Sequence, residues 1–376
     1  MRKLFVFILL AIAITVNAQP GGRLPISIKS PEIGLNGKVT YRFLAPNAKN
    51  VLLLRDGAAP QIMTKDSVGI WSFSETLAAD IYPYSFNADG NILPDPNNPA
   101  LKPIYKMSIG QSLLHIPGTS SLVWEARDVP RGTLHRHEYK SEVIGTQSEL
   151  YVYTPPNYDP GRAEPYPVLY LFHGLTDEAS AWISGGKAHI ILDNLIAEGK
   201  AEPMLIVNTL GYGVPDLLEK GFFGMSPERF KKNNQVFVSS LVKEVIPMVE
   251  KIYNTGRSQQ KRAIAGLSMG GGQALLAGLN NPELFNYLGA FSPAVLVGDD
   301  FKEAFPLLKK DINKQMDLIW MRIGKNDFLL SQNTQFIKIM ENRKVNVDYK
   351  VTEGAHTWMV WRRYLAEFAQ LLFKQQ

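Results

Sequence analysis

Hydrophobic and polar positions change their rhythm partway along the chain. Between about Leu24 and Tyr105, apolar residues alternate with polar ones at a period of two, as Val39, Tyr41 and Phe43 do against Thr40 and Arg42. Such alternation predicts strands buried on one face. Val51–Leu54, Ile70–Phe73 and Tyr82–Phe86 read as further strands, with Gly37, Asp56-Gly57, Gly69 and Asp89-Gly90 as the turns between them. This spacing predicts a small all-β sandwich over residues 24–105. Residues 106–130, at the end of a Pro- and Gly-rich stretch, are expected to form a surface linker.

Over residues 131–376 the rhythm is different. Strands are predicted at His137–Val143 and Leu150–Tyr153. Apolar runs at Val168–Phe172, Met204–Val207, Ala263–Ala265, Tyr287–Phe291, Leu318–Ile323 and Val347–Val351 then alternate with helical stretches. Runs without polar alternation imply strands covered on both faces, so an α/β architecture with a mostly parallel sheet is expected. Asn234–Tyr253 reads as an amphipathic helix bent at Pro247. Leu329–Arg343 and Thr357–Lys374 read as further helices.

The first residues follow another pattern. Arg2 and Lys3 precede the apolar run Leu4–Ile14, and Val16-Asn17-Ala18 supplies a small-residue cleavage signal. Residues 1–18 are therefore expected to be a secretory signal peptide, and the mature protein to be secreted or periplasmic. No other segment is apolar for long enough to span a bilayer, so no membrane partner is expected after signal removal. The chain has no cysteine, which excludes disulfides, thiol catalysis and thiolate metal sites. The formal charge of +5 falls to +3 without Arg2 and Lys3, and the basic residues are scattered. That distribution predicts a solvated surface and no nucleic-acid partner.

Chemistry concentrates at Gly266-Leu267-Ser268-Met269-Gly270, which follows the strand-like Arg262–Ala265 and precedes a helical run of Gly, Ala and Leu. Strand, Gly-x-Ser-x-Gly, helix is the context of a nucleophile elbow. A serine hydroxyl needs a base. Of six histidines, only His356 lies beyond Ser268, in a loop after the last strand. The base needs an acid to orient it. Asp327 lies just past the strand Leu318–Ile323, at the carboxyl end of the sheet where α/β sites assemble. Glu353, three residues before His356, is the alternative acid. An oxyanion hole is expected from the backbone N–H groups of Met269 and of Leu175, which follows His173-Gly174. His173 is expected to support that loop. His135 and His137 share a strand face but lack further ligands, so no metal or other cofactor is expected. Trp182, Phe222, Phe223, Met225, Trp358 and Trp361 fall near loops that should border the site. Trp182 and Trp358 are the candidate substrate-binding walls. The front unit is expected to carry no chemistry; its Trp71, Tyr82 and Tyr84 are either sandwich core or a surface that holds polymer. The oligomeric state is left open.

Tyr153-Thr154-Pro155-Pro156-Asn157-Tyr158, His173-Gly174, Gly266–Gly271 and Gly354-Ala355-His356-Thr357-Trp358 together resemble the esterase-D-like hydrolases. Within these the sequence is similar to carbohydrate esterase family 1, which includes feruloyl and acetyl xylan esterases. The resemblance implies an α/β-hydrolase fold over residues 131–376, with an immunoglobulin-like or glycogen-binding-like unit in front. It implies a serine carboxylic-ester hydrolase that removes feruloyl or other hydroxycinnamoyl groups from plant cell-wall polysaccharide such as arabinoxylan, with acetyl xylan esterase as the alternative. Ser268, Asp327 and His356 would be nucleophile, acid and base. Relatives also include siderophore esterases, a further alternative. Another, from a different class, is a carbohydrate-binding protein with an inert hydrolase unit.

Overall fold

Val168–Phe172 is apolar at every position, and it becomes an inner strand of an eight-stranded sheet. The structure is a computed structural model and describes residues 27–374 apart from 108–109, 220–225, 307 and 309. The expected signal peptide, Phe222, Phe223 and Met225 lie outside the described residues.

The sheet comprises β1 (Thr133–Lys140), β2 (Gln147–Thr154), β3 (Val168–Phe172), β4 (Leu205–Thr209), β5 (Arg262–Leu267), β6 (Tyr287–Phe291), β7 (Leu318–Gly324) and β8 (Asp348–Thr352). Their spatial order is β1-β2-β4-β3-β5-β6-β7-β8. The β1–β2 and β2–β4 pairings are antiparallel, and all pairings from β4 to β8 are parallel. Because side chains alternate across a strand, β3 feeds two cores. Val168, Tyr170 and Phe172 enter one with Phe237, Ala274 and Phe336, while Leu169 and Leu171 enter the other with Ile191, Trp361 and Phe368. The first face is covered by α2 (Pro227–Ser240), α3 (Met269–Asn280) and α4 (Leu330–Asn342). The second is covered by α1 (Ala188–Ala197) and α5 (Trp358–Ala369).

Some boundaries differ from the expected ones. Strand β1 starts earlier than His137 and stops at Lys140, because Glu244 accepts from the Ser141 hydroxyl and from the Glu142 and Val143 amides and fixes a turn there. The helix expected over Asn234–Tyr253 begins at Pro227, capped by Ser226. It is not bent simply at Pro247. A π-helical turn, Leu241–Val245, leads into the helical segment Ile246–Ile252 and widens the ladder where Pro247 has no N–H to give.

The front residues form two antiparallel sheets packed face to face. One holds Lys38–Leu44 and Ile70–Thr76 at its centre, the other Val51–Arg55, Asp80–Ala88 and Gly110–Ile116. Val39, Tyr41 and Trp71 from the first meet Leu53, Tyr84, Phe86 and Leu114 from the second. Part of the stretch expected as linker is thus strand: Gly110–Ile116 pairs with Asp80–Ala88, and its Leu114 and Ile116 fill the shared core while Leu113 joins the core of the eight-stranded sheet. Trp71, Tyr82 and Tyr84 are buried in that core and offer no surface to a polymer. The front sheets also meet α5. Asp80 accepts from Arg362 at 2.7 Å and from Arg363 at 2.6 Å, and Arg362 is fully buried.

Candidate active site

The chain leaves β5 through a strained turn. Ser268 has φ 51° and ψ −117°, a region that side chains rarely occupy and that costs on the order of 1–3 kcal/mol. Its neighbours hold it there. The Ser268 amide donates to the Phe291 carbonyl at 2.9 Å, and its carbonyl accepts from Gly272 and Ala294 at 3.0 and 2.9 Å. Glycine is required on either side by close approach. A Cβ at Gly266 would lie 2.4 Å from the Gly270 carbonyl carbon, and one at Gly270 would lie 2.4 Å from the His173 carbonyl oxygen.

This turn presents the Ser268 hydroxyl to a histidine from beyond β8. His356 Nε2 lies 2.9 Å from Ser268 Oγ, and His356 Nδ1 lies 2.8 Å from Asp327 Oδ2. Asp327 is buried, and its Oδ1 accepts from the Leu329 amide at 2.9 Å. With both oxygens engaged by donors, the carboxylate fixes the proton on His356 Nδ1 and leaves Nε2 free to accept from the serine. Glu353 is not in this chain of contacts; its side chain is 83% exposed and pairs with Lys325. Such an arrangement can deprotonate the serine as it attacks a carbonyl.

Met269 is the first residue of α3, so its N–H has no carbonyl one turn back to bond. Leu175 lies in the loop after β3, beside the same cavity as Ser268. Among the described residues, neither amide is engaged by a loop or turn carbonyl. His173 supports this loop from below. It is buried, its Nδ1 bonds the Gly174 carbonyl at 2.8 Å and its Nε2 accepts from the Gly211 amide at 2.8 Å. Burial holds its pKa below the usual histidine value, so the ring is neutral. His135 and His137 bond Thr154 and Tyr253, and no group of three or more metal-ligating side chains occurs among the described residues.

The cavity at Ser268 has a volume of about 150 Å³, and Trp358 and Trp361 line it. Trp182 does not. It is 0% exposed, its indole N–H donates to the Phe172 carbonyl at 2.9 Å, and it meets Trp358 edge to face. It braces the end of β3 from beneath the site, so the expectation that it walls the pocket is corrected.

Two features of the site had no signal in the sequence. Phe328 is 74% exposed and packs on the His356 ring with centroids 4.6 Å apart. The front unit, expected to carry no chemistry itself, contributes Asp56, Lys102 and Gln111 to the cavity wall. Asp56 accepts from the Trp358 amide at 3.1 Å and so caps α5, two residues from His356. Burial pushes its carboxyl pKa up, which the Trp358 N–H only partly opposes.

Residues 141–371 match the family model Esterase, described as "Putative esterase". The chain is 30% identical over 366 residues to an endo-1,4-beta-xylanase/feruloyl esterase of Xylanibacter ruminicola, across 95% of this chain and 47% of that protein. It thus spans about half the length of that relative. Among solved structures, it is similar to a CE1 ferulic acid esterase from Anaeromyces mucronatus at TM-score 0.58 and 24% identity, covering 66% of this chain and 93% of that one. It is also similar to the enterobactin esterase of Shigella flexneri at TM-score 0.65 and 18% identity, covering 89% and 92%. At these identities the structural likenesses speak for the fold, an α/β-hydrolase-like one.

Proposed function

Since this chain belongs to the esterase family, we propose that it is a serine carboxylic-ester hydrolase releasing feruloyl or related hydroxycinnamoyl groups from plant cell-wall polysaccharide such as arabinoxylan. The observation that carries the reading is the hydrogen-bonded line from Ser268 through His356 to Asp327, at 2.9 and 2.8 Å. Ser268 Oγ attacks the ester carbonyl while His356 Nε2 takes its proton. The oxyanion rests on the Met269 and Leu175 amides. His356 returns the proton to the departing sugar hydroxyl, leaving an acyl-serine. Water then attacks, activated by the same histidine, and the acid is freed. The identity with the Xylanibacter protein, named in part for feruloyl esterase activity, supports the acyl group. So do the aromatic faces of Trp358, Trp361 and Phe328 around the histidine. No cofactor enters this scheme.

A second reading, hydrolysis of acetyl esters, is favoured by the cavity of about 150 Å³, below the roughly 300 Å³ at which drug-sized ligand pockets begin. The front sheets are read as an immunoglobulin-like unit on residues 24–105, extended by the strand Gly110–Ile116. The esterase unit is read as residues 131–376. Residues 1–18 are read as an export signal, which places the enzyme in the periplasm or outside the cell; no described helix is long and apolar enough to cross a membrane.

The test is a panel of methyl ferulate, acetylated xylan and a catecholate siderophore, run with wild type and Ser268→Ala. Methyl ferulate is expected to give the highest kcat/KM, and Ser268→Ala to lower kcat by roughly 10⁴- to 10⁶-fold. Acetyl release without ferulate release would transfer the function to the second reading. Substantial turnover by Ser268→Ala would refute the serine mechanism.

A further inference from the structure

The loop that carries Leu175 is gripped from outside its own sheet. Lys102 Nζ lies 2.5 Å from Asp177 Oδ1, and the two side chains are only 3% and 7% exposed. Further along the same front segment, the Tyr105 amide donates to the Thr176 carbonyl at 2.9 Å. The Tyr105 ring stacks on Tyr212 with centroids 4.0 Å apart, and the Tyr212 hydroxyl donates to the Asp177 carbonyl at 3.0 Å. Thr176 itself sits at φ +71°, which a β-branched residue keeps only when its surroundings hold it there. The ion pair and both hydrogen bonds fall on the two residues that follow Leu175, and the Tyr105–Tyr212 stack ties their two donors together.

Stability is a poor explanation for the ion pair. Burying an ammonium and a carboxylate removes both from water, and replacing such a pair with apolar residues is often neutral or stabilising. What an ion pair does supply is a fixed position. Resting on the serine-esterase reading above, we propose that Lys102 is a positioning residue of the reaction: its ion pair with Asp177 holds the oxyanion loop, so that a side chain of the front sheets sets where the Leu175 amide meets the developing oxyanion. Asp56, which caps α5 beside His356, lies in the same front unit. The front sheets therefore touch the machinery on both the oxyanion side and the base side.

An oxyanion donor acts on the transition state far more than on the bound ester, so its displacement lowers kcat and leaves KM nearly unchanged. Loss of one donor costs about 10²- to 10³-fold, and a shift of ~1 Å about 10²-fold. The experiment uses the full chain with Lys102→Met, Lys102→Arg and the double variant Lys102→Met/Asp177→Leu, with Ser268→Ala alongside. Lys102→Met alone strands a buried carboxylate and can fail to fold; the double variant removes both charges. The readouts are p-nitrophenyl acetate kinetics, thermal melting, and the affinity of a simple boronic acid, whose tetrahedral serine adduct places an oxygen where the oxyanion forms.

The folded double variant is expected to lose about 10- to 100-fold in kcat with KM within about threefold, and boronate affinity should fall in parallel. Lys102→Arg, which keeps a cation there, should recover most of the rate. A folded double variant with kcat within twofold of wild type, while Ser268→Ala is inactive, overturns the proposal and leaves the serine reading standing. So does a rise in KM alone. Failure of both charge-removing variants to fold assigns the pair to stability and overturns it too. An active Ser268→Ala overturns both readings together.

Discussion

Asp327→Asn separates the two carboxylates that compete for the acid's role, and the geometry sets its size. Asparagine keeps the shape of aspartate but replaces one acceptor oxygen with an NH₂. Both oxygens of Asp327 face donors, Oδ1 the Leu329 amide and Oδ2 the His356 Nδ1. Turned toward Leu329, the new NH₂ meets an N–H. Turned toward His356, it needs an acceptor, so the imidazole proton moves to Nε2, the nitrogen that must take the proton of Ser268. The base is then in the wrong tautomer, with an expected loss of about 10⁴ in kcat, equivalent to about 5.5 kcal/mol. Stability should fall only by about 1.5–3 kcal/mol, the scale of one hydrogen bond to a charged group. Glu353→Gln removes an exposed partner of Lys325, an interaction worth about 0–1 kcal/mol, and should leave the rate within about twofold. The assay is steady-state hydrolysis of p-nitrophenyl acetate by folded variants checked by thermal melting. If Asp327→Asn keeps more than a tenth of wild-type kcat, or Glu353→Gln is the slower enzyme, the assignment fails.

Two further outcomes are expected. Gly270→Ala should cost about 1–3 kcal/mol of stability and at least tenfold in kcat, because its methyl would meet the immobile carbonyls of His173 and Phe172; wild-type kinetics in that variant would show that the elbow can relax. Stability should fall as pH drops below the unfolded histidine value of about 6.5, because burial lowers His173 and holds His189 down at about 4. The sign is fixed: between the folded and unfolded values the unfolded chain binds the extra protons, so each ring contributes full stability above about pH 6.5 and loses it toward its folded value. For His189 the loss by pH 5.5 is about 1–1.5 kcal/mol. Asp56 and Asp193, which burial raises, act in the opposite sense, so the effect is read as the difference between wild type and His189→Leu in urea midpoints at pH 7.5 and 5.5. Parallel curves for the two proteins would remove His189 from the account.

What was legible in the chain was whatever its local pattern encodes. Gly266–Gly270 states a strand-to-helix turn within five residues, because only glycine tolerates the backbone approach on either side of Ser268. Asp327 was findable because it follows Leu318–Gly324, whose apolar run marks it as buried, and His356 because it is the one histidine beyond Ser268, although the edge strand before it, Asp348–Thr352, is mostly exposed; strand ends of one sheet converge. The two-fold and unbroken hydrophobic rhythms likewise separated front strands from central ones. Tertiary structure alone decided the rest. Gly110–Ile116 is a strand because Asp80–Ala88 offers it an edge and a core to fill. Trp182 is a brace because helix and sheet close over it, which an aromatic in a loop-rich segment does not announce. Lys102 and Asp177 are 75 positions apart, in stretches with no shared pattern, and they meet only when the front sheets dock on the loop after β3. Periodicity records which face of an element is covered, because burial repeats with the element's own geometry. It carries no record of which distant charge will be enclosed with which, since that depends on how completed units pack.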